Sequence, residues 1–192
     1  MTTPTLHIAG IAGSLRTGSY NGQLLAELAR LAPAGVEIEV LSLRGVPLYD
    51  GDEEAAHGVP EAVTRLKDRV AAADGLLLVT PEYNSGMPGV FKNAIDWMSR
   101  PAADLARVFG NKPTALTGIT PGQGGTIASQ TAWAPVQRAL GMLVWPGPRL
   151  YLSGAGKAFD GDGKLVDEAT RKRVGDFIAG FASFVARVRG DG

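Results

Sequence analysis

The amino-acid sequence predicts an α/β fold, a three-layer sandwich around a five-stranded parallel sheet of order 2-1-3-4-5, as one domain over residues 1–192. Two observations carry this expectation. Short apolar segments alternate with stretches of helical period five times along the chain, which is the trace that right-handed strand-helix-strand crossovers leave in a sequence. The run Leu76-Leu77-Leu78-Val79 is apolar without interruption, as a parallel strand covered on both faces must be.

The strands are expected at Leu6–Ala12, Val36–Leu43, Gly75–Thr80, Thr114–Gly118 and Met142–Trp145, with Arg149–Leu152 continuing near the last. Between the first two, Leu24, Leu25, Leu28 and Leu31 recur at helical spacing and give a helix with one buried stripe. Val59, Val63, Leu66, Val70 and Ala73 do the same before the third strand, with Pro60 near the first turn, where its missing N–H costs nothing. Further helices fit Val90–Met98 and Ile127–Leu140. A long terminal helix carries Val174, Phe177, Ile178, Phe181, Phe184, Val185 and Val188 on a single stripe, and its aromatic spacing is that of core packing. His7 in the first strand and His57, in a loop after the solvated run Asp52-Glu53-Glu54, have no partners at metal-ligand spacing and receive no role.

Composition excludes several classes of function. Nineteen basic and nineteen acidic residues cancel, so no global field draws the chain to nucleic acid or an acidic membrane surface. With no cysteine there is no disulfide, thiolate nucleophile or thiolate-held cluster, and redox chemistry would need a borrowed cofactor. Met1-Thr2-Thr3-Pro4-Thr5 lacks the charged and apolar regions of a signal peptide, and no apolar run has the length of a bilayer span, so a cytoplasmic protein is expected.

In a sheet of this order, ligands bind beyond the carboxyl ends of the strands where strand order reverses. The loop after the first strand, Gly13-Ser14-Leu15-Arg16-Thr17-Gly18-Ser19-Tyr20-Asn21, is small, polar and leads into a helix start, where free N–H groups and a partial positive charge favour an anion. The hydroxyls of Ser14 and Ser19, the amide of Asn21 and the charge of Arg16 suit a terminal phosphate monoester. The plainer alternative is a tight turn with Ser19 as helix cap. Ser19 and Tyr20 stand where a P-loop needs Lys and Ser/Thr, and no G-x-G-x-x-G follows the first strand, so neither an NTPase nor the ordinary dinucleotide fingerprint is present.

After Thr80 comes Pro81-Glu82-Tyr83-Asn84-Ser85-Gly86-Met87-Pro88-Gly89, where Tyr83 offers a ring face and Asn84 a donor and an acceptor. A proline-rich connection with Asn84 and Ser85 in a turn is the structural alternative, and Glu82 more often fixes such a loop than transfers protons. After Thr117 comes Gly118-Ile119-Thr120-Pro121-Gly122-Gln123-Gly124-Gly125, nearly free of side chains, so its backbone can approach a planar ligand. A phosphate cradle, a ring face and a ring edge on one crevice together suit flavin mononucleotide (FMN).

At these residues the chain resembles the NADPH-dependent FMN reductase family, which includes chromate, quinone and azo-dye reductases of flavodoxin-like fold. The resemblance covers nearly the whole chain and is strongest in the first loop and in Pro81 through Trp97, with Val46-Pro47-Leu48-Tyr49-Asp50, Ala158-Phe159-Asp160 and Asp162-Gly163 in support. It implies that Ser14, Arg16, Ser19 and Asn21, with Tyr20 beside them, hold the FMN phosphate, and that Pro81, Glu82, Tyr83, Asn84 and Gly86, with Ser85, line the ring. Thr117, Gly118, Gly124 and Gly125 would complete the site from the third loop.

The implied activity is transfer of hydride from NADPH or NADH through bound FMN to a small acceptor, a quinone, chromate, azo compound or flavin, by a ping-pong scheme without a catalytic acid or base. A homodimer or homotetramer is implied, with Tyr49, Asp50 and the helix after Pro88 facing a partner copy. An electron carrier without NAD(P)H oxidation, or a flavin-free binding module on the same fold, are the alternatives.

Overall fold

The computed structural model describes residues 5–190. Met1–Pro4, on which part of the signal-peptide expectation rests, lie outside the described residues. The chain runs β1 (Leu6–Ala12), α1 (Tyr20–Arg30), β2 (Val36–Leu41), α2 (Gly51–His57), α3 (Glu61–Ala72), β3 (Gly75–Val79), α4 (Gly89–Met98), α5 (Leu105–Phe109), β4 (Pro113–Ile119), α6 (Ile127–Ala139), β5 (Leu143–Val144), β6 (Tyr151–Leu152) and α7 (Glu168–Arg189). The sheet is parallel, in the order β2-β1-β3-β4-β5, as expected. Ile8 lies beside Ile38 on one side and Gly75 on the other, and Leu78 beside Leu116.

The uninterrupted apolar run of β3 serves two cores. Leu76 and Leu78 join α3, α4 and α6 through Leu66, Val70, Phe91, Trp97 and Trp133. Leu77 and Val79 join α1 and α7 through Leu24, Leu28, Phe177, Phe181 and Val185. Side chains alternate across the sheet, so each face needs its own apolar residue at every second position. The terminal aromatic stripe is core, with Trp145 meeting Phe177 and Phe181 at centroid distances of 5.0 and 5.8 Å.

The fifth strand is broken in two. Leu143 pairs with Pro113 near the start of β4, whereas β6 rejoins at its end, Tyr151 beside Gly118. Pro146 and Pro148 between them carry no N–H for the ladder. Gly147 passes close to the Trp145 ring, where a Cβ would sit 2.1 Å from it. His57 lies in the last turn of α2, not in a loop, bonded to Glu53 one turn back. Among the described residues no helix is long and apolar enough to cross a membrane, and no three His, Cys, Asp or Glu gather as for a metal ion.

Candidate functional site

β1, β3 and β4 all end at the same edge of the sheet, and their loops meet there. The first loop leaves β1 with Gly13 donating to Val79 O at 2.9 Å and pressed on Phe91, whose ring a Cβ would strike at 2.2 Å. The loop then folds on itself. Arg16 N donates to Ser14 Oγ at 3.3 Å, Ser19 N to Arg16 O at 3.1 Å, and Gly18 takes φ +68°, which a side chain would strain. Ser19 caps α1 by accepting from Gly22 N, so the helix-cap alternative is also realised. The N–H groups of Tyr20 and Asn21 precede any intrahelical acceptor and remain for an anion.

Arg16 is exposed, lies 5.0 Å over the Tyr20 ring and donates only weakly, to Thr17 O at 3.3 Å. Asn21 is committed. Its amide donates to Ile119 O at 2.9 Å and accepts from Ile119 N at 3.0 Å, a buried pair that pins α1 to the end of β4. The expectation that this side chain serves a phosphate is therefore corrected in part: Oδ1 and one Nδ2–H are spent on Ile119.

In the second loop Asn84 and Ser85 take φ +49° and +58° and close a two-residue turn, with Tyr83 and Gly86 exchanging backbone hydrogen bonds. Before the turn, the chain is tied to α6. Glu82 Oε2 accepts from Ser129 N at 3.1 Å, and so caps a helix whose own cap residue, Thr126, contributes no side-chain bond to its start. Thr80 Oγ1 lies 2.8 Å from Ser129 Oγ and accepts from Trp133 Nε1 at 3.1 Å. Glu82 is thus a loop fixer. Tyr83 is half exposed and reaches over to Ser14, with 3.5 Å between the oxygens.

Together the three loops enclose a cleft of about 170 Å³ lined by Ser14, Arg16, Ser19, Tyr20, Asn21, Pro81, Glu82, Tyr83, Ile119, Thr120 and Pro121. Eight of these are sequence-predicted site residues. Asn84, Ser85 and Gly86 stand on the rim. Thr117 and Gly118 do not reach the cleft, because Thr117 is buried and donates to Leu150 O at 2.9 Å, and the Cα of Gly118 faces the Thr80 carbonyl, leaving no room for a Cβ. Gly125, at φ +62°, packs on Tyr151, while Gly124 is open. Ile119, Thr120 and Pro121 were missed as lining residues. β4 continues through Ile119, a β-branched residue whose strand preference was the available signal.

The donor set fits a phosphate monoester: two hydroxyls, an arginine without a carboxylate partner among the described residues, and a helix start. The one carboxylate on the wall, Glu82, is tied by Oε2 to the α6 start. A volume of about 170 Å³ is less than the roughly 300 Å³ of a complete small-molecule pocket. It therefore suits the ionic end of a ligand whose ring lies on the open rim.

Beside the rim, residues 46–54 dock on α4. Asn93 accepts from Tyr49 N and donates to Pro47 O, and Trp97 meets the Tyr49 ring edge-on at 4.9 Å. The Tyr49 phenol donates to Glu54, which raises its pKa, while the Arg100 guanidinium holds the Glu54 carboxyl below its ordinary range. Arg100 and Arg107, which pairs with Asp68 and Asp104, are thereby neutralised.

Fold and cleft together define a flavodoxin-like α/β protein with a donor-lined cleft at the point where strand order reverses. The sequence model of NADPH-dependent FMN reductases matches residues 6–157, and the chain belongs to that family. It is 40% identical over 185 residues to the NAD(P)H-dependent FMN reductase of Pseudomonas aeruginosa, covering 96% of this chain and 98% of that one. It is also 40% identical over 180 residues to a 2-hydroxy-1,4-benzoquinone reductase from a Burkholderia species, covering 94% and 96%. FerB, a flavoenzyme NAD(P)H:(acceptor) oxidoreductase from Paracoccus denitrificans, superimposes with a TM-score of 0.85 at 34% identity, over 95% of this chain and 98% of FerB. The chain is accordingly an FMN-dependent NAD(P)H oxidoreductase.

Proposed function

We propose that this reductase passes electrons from NAD(P)H to small quinones and holds FMN by its phosphate in the cleft between the three loops. The observation that carries this is the convergence of the loops after β1, β3 and β4 on one small cleft whose cationic side chain, Arg16, has no carboxylate partner among the described residues. Ser14, Arg16, Ser19 and the N–H groups of Tyr20 and Asn21 hold the phosphate. Pro81, Glu82 and Tyr83, with Asn84, Ser85 and Gly86 on the rim, support the ring, and the backbone from Ile119 to Gly125 borders its edge.

Held by these residues, FMN would supply the hydride-accepting chemistry that links the nicotinamide to the acceptor. The protein's part is position and electrostatics. The tether from Glu82 to Ser129 fixes the second loop against α6, and the Asn21 pair fixes the first loop against β4, which holds the walls of the cleft in register. A quinone acceptor is supported by the names of relatives such as the Burkholderia enzyme and the 34% identical quinone reductase of Escherichia coli.

Leu48, 84% exposed beside Tyr49 and α4, supports a homodimer or homotetramer that covers this surface. A chain without cysteine that consumes reduced nicotinamide suits the cytoplasm. The test is to load the purified protein with FMN and add NADPH, then a benzoquinone. The flavin band should bleach and recover, with turnover showing parallel-line kinetics. Bleaching without quinone-dependent turnover contradicts the acceptor, and no FMN uptake contradicts the site.

A further inference from the structure

A second and larger cleft, about 400 Å³, lies on the other side of the first loop, between that loop, α1 and the residues that follow β2. It shares Ser14, Arg16 and Ser19 with the flavin cleft, so the first loop is the wall between them. Its volume falls within the range of small-molecule pockets. We propose that this cleft receives the phosphorylated adenosine end of the nicotinamide donor, with Arg44 meeting the 2′-phosphate of NADPH. The proposal rests on the reductase function given above.

Three features of the cleft support it. Arg44 has no carboxylate partner among the described residues, unlike Arg69, Arg100 and Arg107, each of which pairs with one. Arg44 uses one N–H on Leu15 O at 2.7 Å and keeps the others for a ligand. Arg30 also lines the cleft, but Glu27 neutralises it, and Asp162 is the one acidic residue of the lining. Leu15 and Val40, 39% and 56% exposed, add apolar surface on which a flat base can lie.

Position agrees with charge. Arg44 follows the end of β2, at the same edge of the sheet as the first loop. Because the clefts share a wall, a donor anchored here extends past the first loop toward the rim of the flavin site.

The test uses FMN-loaded enzyme, the variants Arg44→Ala and Val40→Glu, and adenosine 2′,5′-bisphosphate as probe. The quantity to read is kcat/KM for NADPH divided by kcat/KM for reduced nicotinamide riboside, which has no adenosine. Both variants should lower this ratio by about tenfold, the loss of one charge-assisted contact, and the bisphosphate should compete with NADPH and weaken in parallel. Arg44→Ala also removes the bond to Leu15, whereas Val40→Glu adds a charge and removes no bond. An effect confined to Arg44→Ala therefore marks a loop brace and overturns the proposal.

An unchanged ratio in both variants overturns it as well, and so does non-competitive inhibition, which would mark the cleft as a seat for a free regulatory nucleotide. FMN titration of the same proteins separates the two levels. Failure of the wild type to take up FMN defeats the reductase assignment, whereas normal uptake with an unchanged ratio defeats this cleft alone.

Discussion

The floor and the rim of the candidate cleft are built from similar residues and do opposite jobs. On the floor and beneath it, Asn21 bonds Ile119, Thr80 and Glu82 Oε2 bond Ser129, and Thr117 bonds Leu150, pinning α1 to β4 and the second loop to α6. On the rim, Arg16, Tyr83 and Asn84 are exposed, and the bonds that Arg16 and Tyr83 make are long, 3.3 and 3.5 Å. A polar side chain whose bonds are complete and buried stabilises the scaffold; one held loosely at the surface is available for a ligand. The difference lies in what each residue touches.

Two glycines break this comparison most sharply. Gly118→Ala puts a Cβ 2.0 Å from the Thr80 carbonyl, so the strands must separate, and a loss of about 3 kcal/mol or more is expected. Gly124→Ala on the rim meets nothing within 4 Å and should stay within about 0.5 kcal/mol. Thermal melts of the two variants measure both.

Asn21→Ala comes next. It strands the buried N–H and C=O of Ile119, for a loss of about 2–3 kcal/mol, or roughly 5–10 °C in Tm at this chain length. An unchanged Tm in the apo-protein with a large loss of FMN affinity would move Asn21 from floor to rim.

The Glu54 pair tests the region beside the cleft. Its carboxyl is held below its ordinary value of 4.5 by Arg100 first, with help from Tyr49. The contribution is therefore complete above that value and disappears as pH falls through the lowered one. Glu54→Gln should lower Tm at pH 7, where the contribution is complete, and its Tm should converge on that of the wild type as pH falls below about 4.5, as melts across pH would show. Tyr83→Phe, which removes a single 3.5 Å contact at the surface, should have the smallest effect, under about threefold in FMN affinity.

The legible parts of the fold were those whose burial shows as periodicity. β1 and the apolar run of β3 lie where the sequence places them, and Leu24, Leu25 and Leu28 are the buried stripe of α1. α2 escaped because none of its residues is buried; its signals are the Asp50 cap and an acidic first turn, which resemble a solvated loop. The interruption between β5 and β6 was written in Pro146 and Pro148, but nothing local says that the chain returns to the same strand. Within the site, loop positions followed from the strand order. Whether Asn21 and Glu82 serve a ligand or the frame depended on Ile119 and Ser129, which lie 98 and 47 residues away in sequence.

The most direct measurement is a titration of apo-protein with FMN and with riboflavin, for the wild type and Arg16→Ala. Wild type should bind FMN far more tightly than riboflavin, and Arg16→Ala should cut FMN affinity by about tenfold or more while leaving riboflavin affinity unchanged. Equal affinities for the two flavins in wild type, or the same FMN affinity in Arg16→Ala, would contradict a flavin held by its phosphate at the first loop.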